Sequence, residues 1–326
     1  MPTFRRPVLL ERALRSLVAQ THENWRAIVF DDCPDGSAQV VVERVADERI
    51  AYRRNAMQIG AIGNIDQCFH NQPFAGGEFC CILEDDNVLL DRHLTHALSL
   101  CVLHQVETVF CDQLCEQPVI AGEPGVLSER RTIGTFYTEG LFDAADLAPA
   151  IAFAPAFSNG SAFWRLGGAC DFELGPITFD PGIQELARMM RLRGAVYVSL
   201  TPTAVWRIND PLDSFVSAAP AASSLAQALQ ARWRSLQQRR DVLALRDLYF
   251  RTYGTPRAIA FATAAPAAYR ASIENAMLMC GRFVTLTDRS FVWRMRHMTR
   301  GLLFRVLVPK RIKLRGLLAS RQRPAA

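Results

Sequence analysis

Apolar and polar positions along this chain alternate between two periods. Leu10, Ala13, Leu14, Leu17 and Val18 recur at helical spacing behind Pro7, which suits a first helical turn. Residues 1–6 therefore read as a loop running into a helix. Residues 25–30 form an apolar run that predicts a strand ended by Asp31 and Asp32. A turn rich in Pro, Asp, Gly and Ser follows at 34–37, then a helix near 39–46. Residues 49–54 predict a short strand, and Gly60 to Asn64 lead into a helix reaching about residue 71. Gly76 and Gly77 turn the chain into Phe79-Cys80-Cys81-Ile82-Leu83, an apolar run that reads as a buried strand. Beyond it, Asp91 is placed to cap a helix whose Leu94, Ala97, Leu98 and Cys101 share a face. His93 and His96, three apart on that helix, read as part of a solvated face. Residues 108–111 predict a further strand.

From Asp112 to about Phe157 the pattern weakens, and the segment reads as an irregular insertion over the strand ends. Order resumes at 158–165. Pro181 and Gly182 turn into a helix with Ile183, Leu186, Ala187 and Met190 on one face, and residues 195–200 predict a strand. Strands alternating with helices predict an α/β fold, a mainly parallel sheet flanked by helices. Such a domain ordinarily opens on a strand. None precedes the first loop, so the first strand is apparently missing and Met1 reads as a residue at its end. After Asp213 an Ala/Ser/Pro-rich stretch at 217–224 leads into helical patterning. The expected division is a domain over 1–213 and a helical, basic extension over 214–326.

Composition narrows the classes. Half of the chain is hydrophobic and 21% is charged, which excludes a disordered protein. Nine cysteines without zinc-like spacing read as core thiols in a reducing, cytoplasmic setting. Eleven Lys and Arg, with no Asp or Glu, fall between Arg289 and Arg323, leaving an acidic body with a basic tail. Phe291, Trp293, Leu302, Leu303, Phe304, Val306 and Leu307 interleave with those charges. That pattern suits an anionic membrane surface, at the inner face of the cytoplasmic membrane. No aromatic-stacking motif or binding fold accompanies it, so no nucleic acid is expected as partner.

The candidate chemistry sits where the apolar run 79–83 ends in Glu84-Asp85-Asp86-Asn87. Burying adjacent bare anions is prohibitive unless a cation compensates them. Carboxylates and carboxamides are hard oxygen donors, which suit Mg2+ or Mn2+. An acidic surface turn that merely ends a strand is the plainer reading.

The order of motifs decides further. Pro2-Thr3-Phe4-x-Arg6-Pro7, Ser16-Leu17-x2-Gln20-Thr21, Val29-Phe30-Asp31-Asp32, Gly60-x3-Asn64, Gly77-Glu78-Phe79 and Leu83-Glu84-Asp85-Asp86-Asn87 occur in that sequence. Together they resemble a family-2 glycosyltransferase with the GT-A (Rossmann-like) fold over roughly residues 1–210. The resemblance implies transfer of a sugar, with inversion, from a nucleoside-diphosphate sugar to an acceptor hydroxyl. The implied setting is cell-surface polysaccharide or glycolipid assembly on a sugar or lipid-linked acceptor. It implies metal contact at Asp86 and Glu84, and places Asp85 toward sugar hydroxyls or ribose. Asp32 falls where the family accepts the N3–H of a uracil or thymine ring, which favours UDP or dTDP donors. Pro2 and Thr3 would line the base pocket, and Gly60 and Asn64 lie on the second nucleotide-facing loop. Glu185 is the implied base, with Asp180 its nearest competitor. Arg207 approaches the pyrophosphate or forms a structural salt bridge. The chain departs from the family pattern at Glu84 and Glu185, where Asp is usual, at Gln58, where Asn is usual, and at Asn209, where His is usual. A non-catalytic, membrane-associated scaffold on the same fold is the alternative those departures leave open.

Overall fold

The computed structural model of the chain describes residues 1–69, 76–120, 123–153, 156–175 and 181–208. The C-terminal extension with its basic tail, Asp180 and Asn209 lie outside the described residues. Two sheets carry the fold. The first is parallel throughout, with β1 (Pro2–Thr3), β2 (Ala27–Asp31) and β3 (Ile50–Arg54) side by side. Pro2 and Thr3 are thus strand and not loop. They pair with Phe30 and Asp31, and the Met1 ammonium donates to the Ile28 carbonyl at 2.8 Å. The expectation of a missing first strand is corrected to that extent.

The second sheet runs β4 (Phe79–Cys81), β9 (Ala162–Arg165), β6 (Thr108–Gln117), β10 (Ala195–Arg207) and β5 (Val88–Leu89). β7 (Val126–Arg131) joins β6, and β8 (Gly140–Asp143) joins β10. β6 and β10 are parallel, whereas the other pairings of this sheet are antiparallel, so the sheet system is mixed. Residues 112–157, expected to be irregular, contribute the β6–β7 hairpin, β8 and a helix. Their polar residues conceal the pattern because they are buried and bonded inward. Asp112, fully buried, accepts the N–H groups of Ile133 and Gly134 at 2.8 and 3.0 Å.

Six helices complete the described residues: α1 (Pro7–Val18), α2 (Ser37–Val45), α3 (Gly60–Asp66), α4 (His93–His104), α5 (Ala144–Phe153) and α6 (Pro181–Met189). Alternate strand positions face opposite sides, so the two sheets together build two cores. Val29, Leu83, Val109, Phe163 and Tyr197 join Leu10 and Leu14 of α1, Val41 of α2 and Leu94 of α4. Their strand neighbours Phe30, Ile82, Phe110, Trp164 and Val196 face the other way, against Ala148 and Ile151 of α5 and Ala187 and Met189 of α6. Trp164 anchors that second core, stacked on Phe69 at 5.4 Å and edge-on to Phe172 at 5.2 Å.

Two local expectations change on α4. Arg92, not Asp91, holds the N-cap position, without a side-chain cap. His93 is buried with Nδ1 2.9 Å from the Thr203 hydroxyl, and His96 lies 3.0 Å from the Ser199 hydroxyl. Burial pushes the His93 pKa down to about 4. The long strand β10 supplies both hydroxyls, which turns an expected solvated face into a packed one.

Between β2 and β4 lies a cleft of about 410 Å³ lined by Met1, Ile28, Phe30, Cys80, Ile82 and Phe163, among others. Cys80 and Cys81 border it, so β4 is half-buried, not buried as its apolar run suggests.

Candidate active site

The candidate residues gather at the C-terminal ends of β1, β2 and β4, where open α/β sheets bind ligands. The paired aspartates after β2 divide their work. Asp31 is structural: its carboxylate accepts the N–H groups of Cys33 and Ala38 and the Tyr52 hydroxyl. Asp32 turns to the loop before α3. There it accepts the N–H of Ile59 and of Gly60, both at 2.8 Å, and the Asn55 amide at 2.9 Å. Gly60 sits at φ 78°, which favours glycine, and a Cβ there meets nothing within 4 Å. Asn64 is buried and ties the strands together, donating to the carbonyls of Thr3 and Phe30.

The acidic motif splits into two faces. Asp85 accepts the Thr3 hydroxyl at 2.8 Å and the Phe4 N–H at 3.3 Å. Arg6 bridges Asp85 at 3.2 Å and Asp86 at 2.8 Å through one Nη atom. Glu84 points elsewhere, accepting from the Asn87 amide at 2.9 Å and the Asn159 amide at 3.3 Å. Glu84 and Asp86, expected together as metal contacts, therefore keep different company. Burial, then the charges of Asp86 and Glu185, push the Glu84 pKa up to about 8. Burial and Asp85 raise Asp86 to about 6 against the opposing pull of Arg6.

Among the described residues no group of three or more His, Cys, Asp or Glu is placed to hold a metal ion. The donors nonetheless fit a hard divalent cation of the kind that takes one or two carboxylates and completes its shell with phosphate oxygens and water. The observation that carries this fit is the guanidinium already drawn against Asp86 and Asp85.

Glu185 lies on α6, close enough to Glu84 for its charge to raise the Glu84 pKa. Its carboxylate accepts the Asn159 N–H at 3.3 Å, and burial raises its pKa above the usual range. Asn159 thus touches Glu185 through its backbone and Glu84 through its side chain. Its side-chain amide oxygen Oδ1 accepts in turn from Arg188 at 3.1 Å. Arg188 is fully buried, paired with Asp66 at 2.9 Å and lying 4.1 Å over the Phe69 ring. Sequence reasoning assigned no role to Arg6, Asn159 or Arg188. A signal for Arg188 existed: it follows Glu185 by three positions, one turn along the same helical face.

Arg207 is 1% exposed. Its guanidinium bonds Glu116 and the carbonyls of Ile120 and Glu123, and its N–H donates to Asn87. Arg12 closes on the same Glu116 at 2.6 Å. Of the two readings of Arg207, this placement is that of a structural salt bridge supporting the acidic motif from behind. No helix among the described residues is long and apolar enough to cross a membrane.

Comparison with known proteins agrees with this architecture. Residues 1–114 match the family described as Glycosyl transferase family 2. The chain is 32% identical over 111 residues to the WcaA protein of Escherichia coli (strain K12), named for colanic acid biosynthesis, covering 33% of this chain and 37% of that one. It is 36% identical over 98 residues to a GalNAc(5)-diNAcBac-PP-undecaprenol beta-1,3-glucosyltransferase of Campylobacter jejuni, covering 29% and 31%. The chain thus spans about a third of the length of these relatives. The crystal structure of S. aureus TarS 1–349 shares the fold at 13% identity, with a TM-score of 0.52 over 88% of this chain and 79% of that one. Residues 1–114 are thus similar to glycosyl transferase family 2, and the described residues take a GT-A fold.

Proposed function

We propose that the chain transfers a sugar, with inversion, from a nucleoside diphosphate to an acceptor hydroxyl, with Mg2+ or Mn2+ as cofactor. The observation that carries this reading is that Thr3 ties the strand ends bearing Asp32 and Asp85, while Asn159 links Glu84 of the same acidic motif to Glu185 on α6. Asp32 faces the base of a UDP- or dTDP-type donor beside Pro2 and Thr3. Asp85, anchored by Thr3 and Phe4, meets ribose or sugar hydroxyls. Asp86 holds the divalent ion, which when bound neutralises charge developing on the departing diphosphate.

Glu185 takes the proton. As the acceptor oxygen attacks the anomeric carbon, its hydrogen passes to the Glu185 carboxylate and the bond from that carbon to the diphosphate oxygen breaks. Burial raises the Glu185 pKa above the ordinary glutamate range, which makes its carboxylate a stronger base. The Asn159 N–H orients the carboxylate.

The relatives support a cell-envelope setting. One is named for an undecaprenol-diphosphate acceptor, and another, WfgD of Escherichia coli, for UDP-Glc and a diphosphoundecaprenol acceptor. A lipid-linked acceptor fits the proposed division into a catalytic domain over 1–213 and an extension whose basic tail meets an anionic membrane. Glu185→Gln tests the reading. It retains UDP and Mn2+ binding by calorimetry and loses transfer by about 10²–10⁴-fold, the range general bases contribute. Retained turnover transfers the role to Asp180.

A further inference from the structure

We propose that Arg6 is a displaceable counter-ion, occupying the cation position on Asp86 until a divalent ion replaces it and then turning to the donor's diphosphate. The inference rests on the metal reading of Asp86 above and deepens it. Arg6 follows a turn tight enough to hold Arg5 at φ 55°, in the left-handed region that non-glycine residues seldom adopt. Its side chain is 25% exposed, whereas those of Asp85 and Asp86 are 7% and 11% exposed. The guanidinium therefore approaches the buried carboxylates from the solvent side, the side from which a nucleotide must enter.

The partners of the two aspartates are unequal. Asp85 keeps the Thr3 hydroxyl and the Phe4 N–H when Arg6 leaves. Asp86 takes a side-chain hydrogen bond from Arg6 and keeps its own backbone N–H. Departure of the guanidinium thus exposes Asp86 more than Asp85, which stays held by two groups from the β1 end. One positive charge shared between two carboxylates leaves the pair net negative, and a divalent ion completes the compensation. The displaced side chain remains tethered beside the site, and its planar donors match phosphate oxygens. Arg6 is a positioning residue in this account: it keeps the empty acidic pair from repelling itself and hands the site over when metal and nucleotide arrive.

Manganese binding separates this role from a structural ion pair. Free Mn2+ is followed by electron paramagnetic resonance in titrations of the full chain, wild type and Arg6→Gln, and UDP binding is measured at saturating Mn2+. The exchange role predicts opposite signs. Arg6→Gln binds Mn2+ alone at least threefold more tightly than wild type, and binds UDP with Mn2+ about tenfold more weakly, the loss of one charge-assisted contact. Equal or weaker Mn2+ binding by Arg6→Gln, with UDP and Mn2+ still bound, overturns the exchange role alone. Absence of Mn2+ binding by either protein, with or without UDP, overturns the metal reading of Asp86 and this inference with it. Arg6→Lys decides if Arg6→Gln does not fold. It keeps the charge with a single ammonium that cannot span both carboxylates as well, so it too must bind Mn2+ more tightly than wild type.

Discussion

Asp66 and Arg188 form a buried ion pair at the base of the candidate site, and their unequal surroundings set an order of stabilities. The Arg188 side chain has no exposed surface and that of Asp66 has 11%. Asp66→Ala strands a guanidinium that cannot reach water. Its Nε already finds no partner, and its remaining company is the Asn159 side-chain amide oxygen, the Phe69 ring and the more distant charges of Glu185 and Glu84. Breaking a buried pair from that side costs about 3–5 kcal/mol. The Leu174 N–H, which Asp66 also accepts, is orphaned at about 1–3 kcal/mol more. Together these approach half of a typical domain's stability of about 5–15 kcal/mol. Arg188→Met removes the charge and fills similar space. It leaves Asp66 with the N–H groups of Leu174 and Gly175 and some solvent, so about 1–3 kcal/mol is expected. The double variant must then be more stable than Asp66→Ala alone, because it deletes the stranded charge. Urea unfolding of the four proteins, with constant m-values, measures all three differences. If Arg188→Met proves the costlier single change, or the double variant the least stable of the four, the burial argument is wrong.

Other expectations concern charge and backbone. Glu84 has a folded pKa raised to about 8 from 4.5, so the folded state holds a proton that the unfolded chain releases. Its stabilising contribution is complete below pH 4.5 and is lost as pH rises through 8. The metal-free protein therefore melts lower at pH 8 than at pH 5, and Glu84→Gln flattens that slope in thermal melts. The raised pKa of Glu185 makes transfer fall on acidification at a pH above the ordinary glutamate range, read from kcat/KM profiles. Ala46, at the C-terminus of α2 with φ 52°, gains about 1 kcal/mol on replacement by Gly, raising Tm by about 2–4 °C. The same substitution at Ala19, which ends α1 in the right-handed region, lowers Tm instead.

The parts of the fold that sequence reveals are those whose burial is one-sided. α1 and α2 show their apolar stripes plainly, and the strand ending at Asp31 shows its run. β6 was readable only at its apolar start. Asp112, Gln113 and Glu116 are buried on hydrogen bonds to residues far along the chain, and single-sequence periodicity counts them as surface. The candidate site divides likewise. Asp32, the acidic motif and Glu185 carry local signatures. Arg6 and Asn159 acquire their positions through partners about 80 residues away, at Asp85 and Asp86 and at Glu84. Nothing local marks them for that company.

The parting of the sheet between β2 and β4 has a consequence for amide exchange. Asp32 follows β2 of one sheet and Asp86 lies between β4 and β5 of the other. Among the described residues no strand pairing crosses the parting, which is spanned by the shared apolar cores and by side-chain bonds such as Thr3 to Asp85. The smaller sheet, without a ladder to the larger, is the part placed to open more readily. A nucleotide sugar that touches both aspartates closes that seam. At a hundred times its Kd it adds about 2.7 kcal/mol of protection. That protection should concentrate in the amides of Pro2–Thr3, Ala27–Asp31 and Ile50–Arg54 that can exchange, making the smaller sheet the region whose hydrogen exchange slows most on donor binding.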